Sequence, residues 1–449
     1  MTLLLLAEVR RFHEGGGRTS FLQRRDLMLA SLSPAARKMA LITEGLSIGS
    51  VCFRNIGTEM KIEIAAEVPP VPIGWWCYTG TATVEAHNAP LGACAIISAI
   101  KTLWPMCTVT RIALAHDDEV SALAQRKILK TLNSLQNEVL SLYLGKLHSE
   151  NNDFDLSLTA LHTLFLEGCD GGIEKWVRAL SAVTERVEIT DCFSFPDTAF
   201  ATNSAVALRR LVLDNTNVSV SCLGQLKCAD SLQTLSLMDC RKIDTLEIGA
   251  FPELRVLLLG RTPIASESLK GAQRCVHLRI VNLGGCQGIS DVNVLGALKE
   301  LRELFLHETC VTNSGIAALA SCERLEKINL GGCIYISDVN HLGGLPNLLE
   351  LHLWNTKVTN SGISGLGLCC SLVELVLDNC IRITDVSSLR HLHSIRWLSL
   401  IGTEVDGRGV RELLHCQKLE TLALGGTRID HPPKLWRHEA IVEYLESLA

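Results

Sequence analysis

From Leu208 to Leu424 the chain repeats one short order of apolar and polar positions, Leu-x-x-Leu-x-Leu. Copies begin at Leu208, Leu232, Leu254, Leu278, Leu301, Leu325, Leu348, Leu372, Ile395 and Leu419, at intervals of 22 to 24 residues. Weaker copies begin near Val139, Leu161 and Thr184, and a degenerate one begins at Val109. Successive side chains of a strand point to opposite faces, so each copy predicts a short strand. In Leu301-Arg302-Glu303-Leu304-Phe305-Leu306 the leucines turn inward, while Glu303, Phe305 and His307 turn out. One such unit cannot bury its leucines alone. Stacked units share a continuous aliphatic core, and their strands line up as a parallel sheet.

A second order lies above the first, with a super-repeat of 46 or 47 residues. One kind of unit reads Thr309-Cys310-Val311-Thr312-Asn313-Ser314-Gly315-Ile316 and returns as Thr356-Lys357-Val358-Thr359-Asn360-Ser361-Gly362-Ile363. Its Thr-Asn-Ser triplet is suited to cap a short helix. The other kind reads Cys286-Gln287-Gly288-Ile289-Ser290-Asp291-Val292 and returns from Cys333 and from Cys380; here Ser or Thr plus Asp starts a tighter segment. The period and the motif predict an α/β solenoid, a leucine-rich-repeat horseshoe with a parallel concave β-sheet and short helices or turns on the convex side. Residues 1–105 lack the repeat and are expected to form an amino-terminal region or cap. Within them, Lys61-Ile62-Glu63-Ile64 alternates like a strand, Pro69, Pro70 and Pro72 mark a turn or linker, and Trp75, Trp76 and Tyr78 suit a local core. Residues 106–430 are expected to form the solenoid, regular from 208. Residues 431–449 are expected to add a capping helix, with Trp436, Ile441, Tyr444, Leu445 and Leu448 as its apolar residues.

Composition narrows the functional classes. Apolar residues make up 47% of the 449 and aromatics only 5%, so the core is aliphatic. A net charge of −6 gives no reason to expect direct nucleic-acid binding. No apolar run approaches the length of a membrane-spanning helix. The 18 cysteines do not fall in Cys-x-x-Cys pairs; most recur at one place in the repeat, which suits reduced core thiols in an intracellular protein. The run Leu3–Ala7 is too short for a secretory signal. Arg10, Arg11, Arg18, Arg24 and Arg25 suit an organellar presequence, which Glu8, Glu14 and Asp26 interrupt. A cytoplasmic location is expected, with mitochondrial targeting as the alternative.

The alternation of Cys-x-x-Ile-Ser/Thr-Asp-Val units with Thr-x-Val-Thr-Asn-Ser-Gly-Ile units, over about residues 160–430, resembles the leucine-rich-repeat proteins of trypanosomes and their relatives. That group includes the expression-site protein described as a putative adenylate cyclase regulator, which carries an amino-terminal RING-type zinc module. Here Cys52, Cys77, Cys94 and Cys107 lack that module's spacing. The cysteine-bearing units are also similar to those of F-box substrate receptors, although residues 1–105 show no F-box.

Function must be read from the surface that the fold displays. Large aromatics and charges stand at outward strand positions between 303 and 397. The candidate partner-binding residues are Glu303, Phe305, His307, Lys327, Asn329, Glu350, His352, Trp354, Glu374, Asp378 and Trp397. Aromatic anchors inside a polar rim are what a protein interface needs. Phe305, Trp354 and Trp397 lie on alternate strands, about 9–10 Å apart, so they either lean together or remain available to a partner. His307 and His352 suggest zinc, but the intervening strand offers Asn329, a poor ligand. Phosphate loops, dinucleotide fingerprints, His-Glu-x-x-His and Gly-x-Ser-x-Gly are missing. The expected function is a non-catalytic protein–protein interaction scaffold, with a protein partner and with no cofactor, metal or small-molecule substrate. The alternatives are a structural subunit of a larger organellar or ribonucleoprotein complex, and a ubiquitin-ligase substrate adaptor.

Overall fold

A computed structural model describes residues 46–48, 51–56, 59–64, 81–103, 106–116, 120–146, 156–169, 172–201, 206–430, 432 and 435–448. The stretch with Pro69, Trp75, Trp76 and Tyr78 and the arginine-bearing amino terminus lie outside these residues. The chain divides into two compact units, Met1–Leu208 and Arg209–Ala449.

In the first unit, β1 (Leu46–Ile48), β2 (Val51–Ile56) and β3 (Glu59–Ile64) pair antiparallel. From β3 onward every pairing is parallel, through β4 (Thr81–His87), β5 (Thr108–Ala115), β6 (Ser141–Gly145), β7 (Thr163–Glu167) and β8 (Arg186–Thr190). Parallel neighbours need a crossover, and helices α1 (Pro90–Leu103), α2 (Ala122–Asn133) and α3 (Ile173–Arg178) lie in three of them. Helix α1 buries Ala93, Ile96, Ile97 and Ile100, one helical stripe. Ser121 Oγ caps α2 by accepting from Ala124 N at 3.4 Å. The leucine spacing does not mark β4 and α1, because their core is alanine, valine and isoleucine. The weak copies near Val139, Leu161 and Thr184 immediately precede β6, β7 and β8. Thr184 occupies a leucine place and hands its hydroxyl to Leu161 O at 2.7 Å.

The second unit is the regular solenoid. Its strands are β9 (Arg210–Val212), β10 (Thr234–Ser236), β11 (Val256–Leu258), β12 (Ile280–Asn282), β13 (Glu303–Phe305), β14 (Lys327–Asn329), β15 (Glu350–His352), β16 (Glu374–Val376), β17 (Trp397–Ser399) and β18 (Thr421–Ala423). Each pairs in parallel with the next. Short turns of helix occupy the return paths, among them α4 (Val220–Leu223), α5 (Gly407–Val410) and 3-10 segments such as Asn293–Ala297, Ser314–Ser321 and Asn340–Gly344. Leu304, Ile328, Leu351, Leu375 and Leu398 form a buried line through five coils.

The super-repeat has a physical cause. Thr309 Oγ1 donates to Leu306 O at 2.7 Å, and Cys333 Sγ of the next coil donates to the same carbonyl at 3.0 Å. The pair recurs as Thr216 with Cys240, Thr262 with Cys286 and Thr356 with Cys380. Each buried carbonyl thus takes one hydroxyl from its own coil and one thiol from its neighbour. On the convex side Thr312 Oγ1 accepts from Gly315 N at 3.0 Å, so threonine supplies the cap expected of the whole triplet. Asn313 instead reaches across, accepting from Ser337 N at 2.9 Å and donating from Nδ2 to Ser337 Oγ at 2.9 Å. Asn360 repeats this toward Thr384. Toward the preceding coil the approach is so close that a Cβ on Gly315 would strike Ser290 O.

After β18 the chain packs back on the last coil. Leu435 bridges antiparallel to Leu422, with Leu422 N donating to Leu435 O at 3.1 Å. Helix α6 (His438–Ser447) then buries Ile441 and Leu445 against β18 and the 3-10 segment Arg411–His415. Trp436 precedes this helix and is 64% exposed, so it lies outside the apolar stripe expected for it.

Two outcomes follow from the core. Thr309→Val keeps volume but leaves Leu306 O with one fewer donor; a loss of about 0.5–1.5 kcal/mol in urea unfolding is expected. Burial raises the thiols of Cys275, Cys322, Cys369 and Cys416 to a pKa of about 11. Among the described cysteines, exposed Cys370 and half-buried Cys310 should therefore take up iodoacetamide under native conditions, and the repeat-core cysteines only on unfolding, as peptide mass spectrometry would read.

Candidate functional site

The outward residues of the second unit stand in three rows fixed by strand register. The first row runs Glu303, Lys327, Glu350, Glu374, Trp397 and Thr421. The second runs Phe305, Asn329, His352, Val376, Ser399 and Ala423. The third, two residues further on, carries His307, Gly331, Trp354, Asp378, Ile401 and Gly425. After it the backbone turns left-handed in every coil from β9 to β18, with φ between 51° and 76°, at Asn215, Asp239, Arg261, Gly285, Glu308, Gly332, Asn355, Asn379, Gly402 and Gly426. Asn, Asp and Gly tolerate that conformation best. Arg261 is held in it beside a two-pronged pair to Asp239, at 2.6 and 2.5 Å.

Among the expected residues the structure brings together polar pairs. Lys327 Nζ lies 2.8 Å from Glu350 Oε1, and this contact raises the ammonium pKa, with Glu303 and Glu374 adding to it. His352 Nε2 lies 3.0 Å from Glu374 Oε1. Asp378 Oδ1 accepts from Ser399 Oγ at 2.5 Å and Ile401 N at 3.2 Å. Asn329 Oδ1 accepts from Gly331 N at 3.0 Å, on its own strand. With His352 turned to Glu374 and Asn329 to its own backbone, the two histidines do not converge. Among the described residues no group of three His, Cys, Asp or Glu side chains is placed to hold a metal ion.

The aromatics are not brought together. Phe305, Trp354 and Trp397 occupy three different rows on alternate coils. Trp354 instead lies over the backbone of Gly331, where a Cβ would fall inside its indole. His307 covers Gly284 in the same way. Both side chains are half-buried by a missing side chain on the preceding coil. Burial lowers the His307 pKa, with Glu308 opposing and Arg261 adding.

Trp397 differs, being 46% exposed. Beside it stands Ile401, 42% exposed, an outward position that was not singled out because it carries no charge or ring. Together with Val376, Ala423, Gly425 and Trp436 they line a cleft of about 480 Å³ above β17 and β18. A Cβ on Gly425 would meet nothing within 4 Å, so the cleft is open there. In the other unit, a patch outside the candidate residues joins Tyr143 and Phe165, with ring centroids 6.4 Å apart, and places the Arg186 guanidinium 4.9 Å above Phe165. Its signal was present as the outward positions of Ser141-Leu142-Tyr143-Leu144 and Thr163-Leu164-Phe165-Leu166.

No protein-family model matches the chain, and no curated protein matches it. Among solved structures, an internalin (inlF) from Listeria monocytogenes is 19% identical, over 70% of this chain and 86% of that one, with a TM-score of 0.56. The TLR13–ssRNA13 complex is matched at 18% identity, over 78% of this chain and 56% of that one, with a TM-score of 0.53. An LRR protein of Leptospira interrogans is 19% identical over 63% of this chain and 86% of that one, with a TM-score of 0.43. At these identities the likeness is one of fold, and the fold is a leucine-rich-repeat solenoid. Among the described residues no helix is long and apolar enough to cross a membrane.

Gly331→Ala should cost about 1–3 kcal/mol by overpacking against Trp354. The cost should shrink in a Trp354→Ala background, and a double-mutant cycle on urea midpoints measures the difference. His307 gives a pH signature. Its folded pKa lies below the ordinary value of about 6.5, so the unfolded chain binds the proton first as pH falls. The contribution of neutral His307 is complete above about pH 6.5 and declines as pH drops below it. Comparing unfolding midpoints at neutral and mildly acid pH, His307→Asn should reduce the acid loss.

Proposed function

We propose that the chain is a non-catalytic scaffold that grips a protein partner on the concave face of its second unit. The observation that carries this reading is the exposure of Trp397 and Ile401 on strands whose polar neighbours are occupied with one another. Exposed apolar groups rimmed by charge are characteristic of interaction surfaces. The rim consists of Glu303, Lys327, Glu350, His352, Glu374 and Asp378; Phe305, His307, Asn329 and Trp354 give the wall its shape. Direct nucleic-acid binding is not part of the proposal, because carboxylates outnumber cations on this stretch. Kinship with the trypanosomatid repeat proteins rests on the two alternating motifs. An intracellular setting is supported by thiols paired with threonine and carbonyl oxygens rather than with one another. In domain terms, residues 106–430 would be the binding solenoid, 1–105 its amino-terminal cap and 431–449 its closure.

The test is partner capture with crosslinking. Trp397→Ala combined with Ile401→Ala should lower partner recovery by about tenfold or more while leaving the thermal unfolding profile unchanged, as expected for a central apolar anchor. Trp354 is a poor choice for this purpose, because its indole packs on Gly331 and its loss would disturb the stack. Crosslinks should map to Lys327 and Lys357. Undiminished recovery from the double variant, with crosslinks confined to Lys61 and Lys101, would overturn the reading and favour a complex subunit docked through the first unit.

A further inference from the structure

The cleft above β17 and β18 and the charge beside it constrain what can occupy them. The first row runs straight into Trp397, through Glu303, Lys327, Glu350 and Glu374. With Asp378 in the third row, this stretch of wall sets four carboxylates against one ammonium. Lys327 is already engaged by Glu350, with Glu303 and Glu374 acting on it as well, and His352 is turned to Glu374, so no cation on these strands is left to meet an anionic ligand. The cleft itself is apolar at Trp397, Ile401 and Trp436, and open at Gly425. The edge of β18 is partly occupied, because Leu422 bridges to Leu435. An incoming chain therefore docks by its side chains on the sheet face, not by adding a strand at that point.

We propose that this surface receives an extended segment of a partner protein that carries one bulky apolar residue and, two or three residues away, a lysine or arginine. The apolar residue fills the cleft between Trp397 and Trp436, and the cation lies over the Oε2 side of Glu374 and Glu350, whose Oε1 atoms are held by His352 and Lys327. The spacing follows from geometry. Glu374 and Glu350 stand one and two strands from Trp397, about 5 and 10 Å. An extended peptide advances about 3.3 Å per residue, so two or three residues span about 7–10 Å. The inference rests on the concave-face reading and adds to it the chemistry of the partner.

A random dodecapeptide phage library, panned on the immobilised full chain, tests it. Enriched peptides should share an apolar residue with Lys or Arg two or three positions away. A synthetic fluorescein-labelled copy of the leading peptide should bind the chain in solution, more weakly as salt is raised. Gly425→Leu should abolish that binding while preserving the circular-dichroism melt, since the new side chain projects into open space. Glu350→Gln combined with Glu374→Gln should weaken the peptide by about tenfold while barely affecting a copy in which the cation is replaced by serine. Enrichment without a basic residue, still blocked by Gly425→Leu, would overturn the charge class and leave the concave-face reading standing. Peptides indifferent to Gly425→Leu, or no enrichment at all, would overturn the proposed site; only the capture experiment above bears on the wider reading.

Discussion

A coil of 23 or 24 residues cannot satisfy its own backbone. Its strand is three residues long and its return path holds only short helical turns, so the strand donors and acceptors of each coil must be met by the coils beside it. Leu306 N donates to Asn329 O, Glu308 N to Gly331 O and Glu326 N to Arg302 O, and the same bonds recur one coil further on. The aliphatic core obeys the same rule, since a leucine line is dry only when coils lie on both sides. Stability in such an array is a sum over neighbours. The side chains that look most specialised here, the buried threonines and cysteines and the bridging asparagines, all serve these contacts between coils.

That constraint also shapes the concave wall. Three-residue strands present few outward positions per coil, and a large side chain folds down onto the wall where the preceding coil withholds one. Gly284 and Gly331 withhold theirs, and His307 and Trp354 settle into the space. Polar residues of the wall mostly bond one another. The exception comes where the array ends, because Trp397 and Ile401 face Gly425 and a carboxyl-terminal segment that covers the edge of the last strand but not its face. An interaction surface at such a place is a consequence of ending a stack without filling its final groove.

The leucine spacing located the strands from β5 onward, the copy at Val109 falling within β5, because a two-residue alternation of apolar residues is what a half-buried strand requires. It missed β4, whose buried residues are Ala82, Val84 and Ala86, too small to stand out against an alanine-rich helix. The rows of the wall were legible as outward positions; the neighbours of each side chain were not. Nothing in the order of residues says that Trp354 folds back over Gly331 while Trp397, two coils on, stays exposed. That difference depends on Glu374 rather than glycine standing beside Trp397, a relation across 23 residues. Trp436 has the spacing of the helical stripe, but spacing alone does not show that the helix starts two residues later, at His438.

The shared carbonyls of the core set the grain at which such an array can change length. A threonine coil gives its hydroxyl to an oxygen that also takes the thiol of the following cysteine coil, so the two form a matched couple. Removing one coil would set threonine against threonine or cysteine against cysteine at the new seam. Among the described residues the first of these arrangements occurs at Thr403 and Thr427, in the last two coils. Gain or loss of material within this solenoid is therefore cleanest in steps of two coils, which makes the couple, and not the single repeat, the module of its growth.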